Sequence, residues 1–159
     1  MSEPKAVSAI PTKILVPIDF SPSSHAALDA ATELAERFGA EIFLITVIPE
    51  FPDRSVPDSI AEATVVERGT EVAEERFAET EAALEAKGIK VTSRVEVGND
   101  VAGTILEAIE QEGADLVVIT THGLSGWYPQ VFGSIAEKLV KLVKCPLLLL
   151  RTPKPESSE

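Results

Sequence analysis

Five short apolar runs alternate along the chain with four stretches whose hydrophobic residues recur at helical spacing. No other feature constrains the fold as strongly, because strands separated by helices can pair only in parallel, with the helices laid over the sheet. The first run, Ile14-Leu15-Val16-Pro17-Ile18, stops at Asp19 and reads as a buried strand. Ser21-Pro22 follows, an N-cap with proline at the first helical position, where its missing N–H costs nothing. Ala27, Ala30, Ala31, Leu34 and Phe38 then recur at helical spacing, and Gly39 supplies a left-handed stop. The second strand is Ile42 to Val47, and a loop with Pro49, Pro52 and Pro57 leads to a long helix predicted from Asp58 to Lys87. The apolar positions of that helix include Val65, Val72, Phe77 and Leu84; Gly69 is a weak point, costing about 1 kcal/mol against alanine.

In the segment from Ile89 to Val97, Ile89, Val91, Val95 and Val97 alternate with Lys90, Thr92, Arg94 and Glu96. Strict alternation implies one wet face and hence an edge strand. Gly98-Asn99-Asp100 caps a helix that carries Val101, Ile105, Leu106 and Ile109 and ends at Gly113. Ala114 to Ile119 forms the fourth strand, Thr120 to Phe132 a glycine-bearing loop, Gly133-Ser134 to about Lys144 a helix, and Pro146 to Leu150 the last strand. Right-handed crossovers and the alternating edge favour one arrangement: a single doubly wound α/β domain, its five-stranded parallel sheet ordered 3-2-1-4-5, with helices on both faces. The domain is expected over 12–151, with 1–11 and 152–159 as flexible ends.

The 159 residues suit one domain, and 45% hydrophobic with 25% charged residues excludes a largely disordered chain. Acids outnumber bases by 26 to 14, a net charge of −12, which argues against a general nucleic-acid binder. The segment 58–88 holds nine acids and three bases, half of that excess, and reads as a solvated outer face. Cys145 is the only cysteine, so neither an intramolecular disulfide nor a cysteine zinc cluster can form. No signal-like start and no membrane-length apolar run is evident, so a cytoplasmic protein without a membrane partner is expected.

In a doubly wound sheet the ligand crevice lies beyond the strand carboxyl ends where the winding reverses. Here the reversal falls between strands 1 and 4, from which Asp19-Phe20-Ser21 and Thr120-Thr121-His122-Gly123 emerge. Gly123 and Gly126 permit positive φ and close approach to a ligand. Gly133-Ser134 opens a helix whose N–H groups and dipole suit a phosphate, with the Ser134 hydroxyl as a further donor. The loop has no G-K-[ST] and no lysine or arginine, which favours binding over fast phosphoryl transfer. On spacing alone, phosphate binding and plain tight turns stand level.

Three segments carry a resemblance: K-I-L-V-P-I-D-F-S near the start, T-H-G-x-x-G in the middle, and G-S-I-A-E-K-L-V followed by C-P-L-L-L-L-R. Together they resemble the universal stress protein family over residues 12–151. ATP-binding members of that family share a loop of the form G-x-x-G, nine residues, then G-[ST]. Gly123, the nine residues from Leu124 to Phe132, and Gly133-Ser134 match it, while Thr120 replaces the first glycine. The resemblance implies an ATP site (with AMP or ADP as variants); Mg²⁺ is expected only as carried by the nucleotide phosphates, since it is often held largely by substrate oxygens and water. Asp19 would meet the ribose or adenine side, and Pro17, Val47 and Ile119 would line the base pocket. Ile18, Thr120, Gly123, Gly126, Gly133 and Ser134 complete the contacts, with backbone donors from Ile135 and Ala136. Asp19 has a second reading, as a cap for loop N–H groups.

His122 lacks a nucleophile in a strained elbow and a second histidine nearby, so it reads as structural, and His25 is given no role. Two distant histidines make a protein-held metal site unexpected. Trp127 and Tyr128, the only Trp and Tyr, read as contact or loop-packing residues, and Cys145 as a buried inert thiol. The last strand is an edge, yet Leu147 to Leu150 shows no polar alternation, so two copies are expected to pair it antiparallel in a homodimer. The expected function is an adenine-nucleotide-binding regulatory or stress-response protein, at most a slow ATPase, acting through a protein partner the sequence does not name. The alternative is a dimeric interaction module of the same family that binds no nucleotide.

Overall fold

The alternating pattern folds into nine elements among the described residues, which in this computed structural model are 9–50, 59–121 and 133–151. They are β1 (Lys13–Pro17), α1 (Pro22–Phe38), β2 (Glu41–Ile48), α2 (Ser59–Ala86), β3 (Val91–Val97), α3 (Val101–Glu112), β4 (Leu116–Thr120), α4 (Ser134–Leu142) and β5 (Leu147–Leu150). The strands form one parallel sheet in the expected order, β3-β2-β1-β4-β5.

Period-two alternation divides the apolar side chains of the central strands between two cores. Ile14, Val16, Ile42, Leu44 and Val118 pack with Ala27, Ala31 and Ala35 of α1 and with Phe77 and Leu84 of α2. Leu15, Phe43, Ile45, Val117 and Ile119 pack on the opposite face with Ile105, Ala108 and Ile109 of α3 and with Ala136 and Leu139 of α4. Each fully buried Leu or Ile contributes about 1.5–3 kcal/mol, so continuous apolar strands buried on both faces anchor the domain.

The helix ends follow the sequence signals. Ser21 Oγ accepts from the Ser24 N–H at 3.2 Å, and Gly39 closes α1 at φ 70°. Asp100 Oδ1 accepts from the Gly103 N–H at 3.0 Å at the start of α3. At the amino end of the sheet, the Asp115 carboxylate joins the start of β4 to the start of β1. It accepts from the Thr12 hydroxyl at 2.6 Å, from the Thr12 N–H at 2.9 Å and from the Lys13 N–H at 2.9 Å.

Three expectations are corrected. Phe38 stands 49% exposed although it shares the face of Ala31 and Ala35, because it is the last residue of α1 and the chain turns away at Gly39. Val65 and Val72 of α2 are 52% and 40% exposed, since its buried stripe passes through Ala73, Phe77 and Leu84 and leaves them turned outward. The third strand begins at Val91, and its polar face is not simply wet. Arg94 lies with its guanidinium 5.3 Å from the Phe43 ring centroid and pairs with Glu112 at the end of α3 and with Glu96. Among the described residues, no helix is long and apolar enough to cross a membrane.

Candidate functional site

β1 pairs with β2 along its whole length, but its ladder with β4 ends at Leu15↔Val117. Residues beyond that last pair, on both strands, line a cleft of about 360 Å³ at the carboxyl edge of the sheet. Pro17, Ile18 and Asp19 supply one side, Ile119, Thr120 and Thr121 the other. The cleft therefore opens where the strand order reverses, as expected for a doubly wound sheet.

Its character changes across its width. Val47, Val101, Ile105, Ile119 and Leu139 make an apolar wall continuous with the core beneath α3 and α4. Gly133, Ser134, Ile135 and Ala136 bring in the amino end of α4. The N-cap Gly133 has no side chain to satisfy the first-turn N–H groups of α4, whereas Ser21 and Asp100 do so for α1 and α3. A helix start of this kind offers N–H donors and the positive end of a dipole to an anion. Such a site can hold a flat apolar group on one side and an anionic group on the other.

Backbone bonds fix both rims. The Ile18 N–H donates to Ile45 O at 2.8 Å, continuing the β1–β2 ladder past Pro17, which has no N–H of its own. The Thr121 N–H donates to Leu150 O at 3.0 Å, and the Gly133 N–H donates to Thr121 O at 2.9 Å. The chain thus leaves and re-enters the site at the tip of β4. A Cβ at Gly133 would lie 3.3 Å from Thr121 O, so this close approach favours glycine.

Asp19 Oδ1 accepts from the Ser21 N–H at 2.9 Å, which realises the loop-capping reading for one of its oxygens. Phe20, between them, has a left-handed backbone with φ 62°, a costly conformation for an aromatic residue. It is held from α2: its ring lies 5.4 Å from that of Phe77, with the Arg76 guanidinium 5.1 Å from its centroid. Helix α2 therefore braces the rim that presents Asp19.

Of the expected contacts, the cleft gathers Pro17, Ile18, Asp19, Val47, Ile119, Thr120, Gly133, Ser134, Ile135 and Ala136. Gly123 and Gly126 lie outside the described residues, as do His122, Trp127 and Tyr128. Sequence reasoning placed Thr121 in the segment leaving the fourth strand without giving it a contact, and missed Ser24, Ala27, Ile45, Thr46, Val101, Ile105 and Leu139. Thr46 carried a readable signal, a lone hydroxyl within the apolar run of the second strand. The cleft-lining side chains of α3 differ in no way from core residues in sequence. Among the described residues, no group of His, Cys, Asp or Glu is arranged to hold a metal ion.

Cys145 is half-buried, and burial, reinforced by the Asp115 charge, pushes its thiol up. Glu137, in the first turn of α4, is held below its usual value by Lys141, whose Nζ lies 2.8 Å away. At the sheet edge, Leu147 and Leu149 pack inward while Leu148 is 37% exposed, next to a helix with Leu142 exposed.

Comparison with known proteins places these features in context. The model of the universal stress protein family matches residues 11–151. Universal stress protein MJ0531 of Methanocaldococcus jannaschii is 31% identical over 144 residues, spanning 91% of this chain and 84% of its own. Universal stress protein YxiE of Bacillus subtilis is 31% identical over 146 residues, spanning 87% and 98%. The solved structure of hypothetical protein MJ0577 superposes with a TM-score of 0.80 at 27% identity, covering 92% of this chain and all of that one. Two more distant structures share the fold at a TM-score of 0.59. One is a universal stress protein in complex with cAMP, 23% identical over 90% of this chain and 98% of that one. The other is a universal stress protein from Archaeoglobus fulgidus in complex with dAMP, 20% identical over 88% and 98%.

Proposed function

This chain belongs to the universal stress protein family, and from that premise we propose that it is an adenine-nucleotide-binding regulatory protein of the stress response, with ATP as a ligand. One observation carries the reading: a cleft at the strand-order reversal joins an apolar wall to a helix start whose N-cap has no side chain. The adenine packs against Val47, Ile119 and neighbouring wall residues, and the sugar lies toward Asp19. The phosphates meet Ser134 and the N–H groups of Ile135 and Ala136. The cAMP and dAMP complexes of fold neighbours support an adenine ligand at this architecture.

Binding outweighs chemistry in this proposal. The described residues lining the cleft include no Lys, Arg or His, and Asp19 is their one carboxylate. Among these described residues nothing clamps a developing phosphoryl charge, and on this reading turnover stays below about 1 per second, under the range of evolved enzymes. Mg²⁺ enters only with the nucleotide, held by phosphate oxygens and water. Two copies pair through β5, where the apolar edge from Leu147 to Leu150 is otherwise left open. Thr120, at the position where the family loop has glycine, is what favours the second reading, an interaction module without nucleotide.

Calorimetric titration with ATP and Mg²⁺ tests the proposal. Wild type gives saturable heat, and Ser134→Ala weakens binding about two- to tenfold, the worth of one hydroxyl hydrogen bond. Absence of heat with adenosine, AMP and ATP alike, at millimolar concentration, would refute it and leave the interaction module.

A further inference from the structure

We infer that Arg76, on α2 and outside the cleft lining, is a positioning residue for the nucleotide site: seated over Phe20, it holds the Asp19 carboxylate where the sugar of the ligand meets it. This inference rests on the nucleotide-binding reading and adds to it a control exerted from α2. The segment around Phe20 is pinned at both ends. On one side the Ile18 N–H donates to Ile45 O at 2.8 Å; on the other Ser21, only 3% exposed, caps α1 by accepting from the Ser24 N–H. Between these points Asp19 Oδ1 accepts from the Ser21 N–H at 2.9 Å, a turn closed by a side chain with Phe20 at its centre. At φ 62° the central position suits glycine, yet it carries an aromatic residue.

A left-handed backbone costs a non-glycine residue a factor of about five to a hundred in population, and one hydrogen bond returns about two- to tenfold. Taken alone, the turn is near balance or unfavourable, so what holds it closed acts through the ring of Phe20. That ring lies 5.4 Å from the ring of Phe77, and the Arg76 guanidinium stands 5.1 Å from its centroid. Phe77 is a core residue, whereas Arg76 is exposed, so its contact can be removed without opening the core. An exposed cation–aromatic contact is worth about two- to fivefold in an equilibrium constant. A ligand that needs the closed turn loses affinity as the closed population falls. Arg76 therefore acts on the ligand only through Phe20 and Asp19.

Two readouts on Arg76→Gln test this, with Arg76→Lys as the variant that keeps a cation. Exchange of the Ser21 amide, followed by NMR without ligand, quickens about two- to fivefold in Arg76→Gln, toward the rate in Asp19→Ala, and recovers in part in Arg76→Lys. In calorimetry AMP binds Arg76→Gln about two- to fivefold more weakly than wild type, while 2′,3′-dideoxy-AMP, which lacks the sugar hydroxyls, binds both alike. Phe20→Gly enters the turn without strain, so in that background Arg76→Gln changes neither readout. The inference is overturned if Ser21 exchange is the same in Arg76→Gln as in wild type, or if AMP affinity holds while the amide loosens. Equal weakening of AMP and its dideoxy analogue, or an undiminished Arg76→Gln effect in Phe20→Gly, would overturn it as well. Failure of the underlying reading looks different: wild type then gives no heat with AMP or ATP, while the exchange readout, which uses no ligand, still decides whether Arg76 holds the Asp19 turn.

Discussion

Substituting Gly69 by alanine within α2 should stabilise the protein. Glycine in a helix interior costs about 0.8–1.0 kcal/mol relative to alanine, because the unfolded chain gains freedom that folding must remove. Gly69 has no positive φ to preserve, and its added Cβ would lie 3.6 Å from Ile48 Cγ2, an ordinary van der Waals contact. Propensity and packing therefore act together, for a gain of about 1 kcal/mol, or about 2–4 °C in Tm for a domain of this size. Gly103, in α3, supplies the contrast. There the added Cβ would fall 2.7 Å from Asp100 Cγ and closer still to its Oδ2, crowding the carboxylate whose Oδ1 caps the helix by accepting from the Gly103 N–H. Asp100 must swing away, and loss of that cap costs about 0.5–2 kcal/mol, cancelling or reversing the propensity gain. Urea unfolding followed by circular dichroism should rank Gly69→Ala above wild type and Gly103→Ala level with it or below. If Gly69→Ala were the less stable of the two, the helical geometry and packing assigned to α2 at that position would be wrong.

Three further outcomes follow from named contacts. Burial tends to raise the pKa of Asp115, but the hydrogen bonds from Thr12 and Lys13 outweigh it and hold the carboxyl below 3.8. Its stabilisation is thus complete above that value and is lost as pH falls through the lower folded-state pKa; Asp115→Asn should be less stable at neutral pH, with the difference closing below about pH 4 in acid titrations. Cys145, its thiol pushed up by burial and by the Asp115 charge, should alkylate with iodoacetamide well below the rate of the unfolded protein, and equal rates would contradict its placement. Leu148→Glu puts a charge on the exposed β5 edge and should halve the sedimenting mass of the proposed homodimer; a wild type that already sediments as a monomer would remove that dimer.

The fold was legible because its strongest signals are local. Uninterrupted apolar runs marked β1, β2 and β4, and the Ser21-Pro22, Gly39, Asp100 and Gly113 signals marked ends that the structure keeps. Val65 and Val72 were misplaced because an apolar residue one position off a buried stripe turns about 100° around the helix, and Phe38 because α1 ends at it; composition records neither. Arg94 was read as a solvent residue, but tertiary contact decides its place: α3 returns Glu112 beside it, and its guanidinium packs on Phe43. The candidate cleft was legible where topology dictates it, at Asp19, Thr120 and Gly133-Ser134. It was hidden where ordinary core residues of α3, Val101 and Ile105, turn one side toward the opening. The left-handed Phe20 had no local signal at all, since its conformation is imposed from α2 by Phe77 and Arg76.

The central claim is that the opening between the tips of β1 and β4 is where an adenine nucleotide binds. Hydrogen–deuterium exchange with and without saturating ATP and Mg²⁺ tests this most directly, because it reports position as well as binding. The account predicts slowed exchange at the amides of Ser134, Ile135 and Ala136 and along Asp19 to Ser21, with the Asp115 clamp at the opposite end of the sheet unchanged. Protection confined to another surface, or none at nucleotide concentrations up to millimolar, would contradict it.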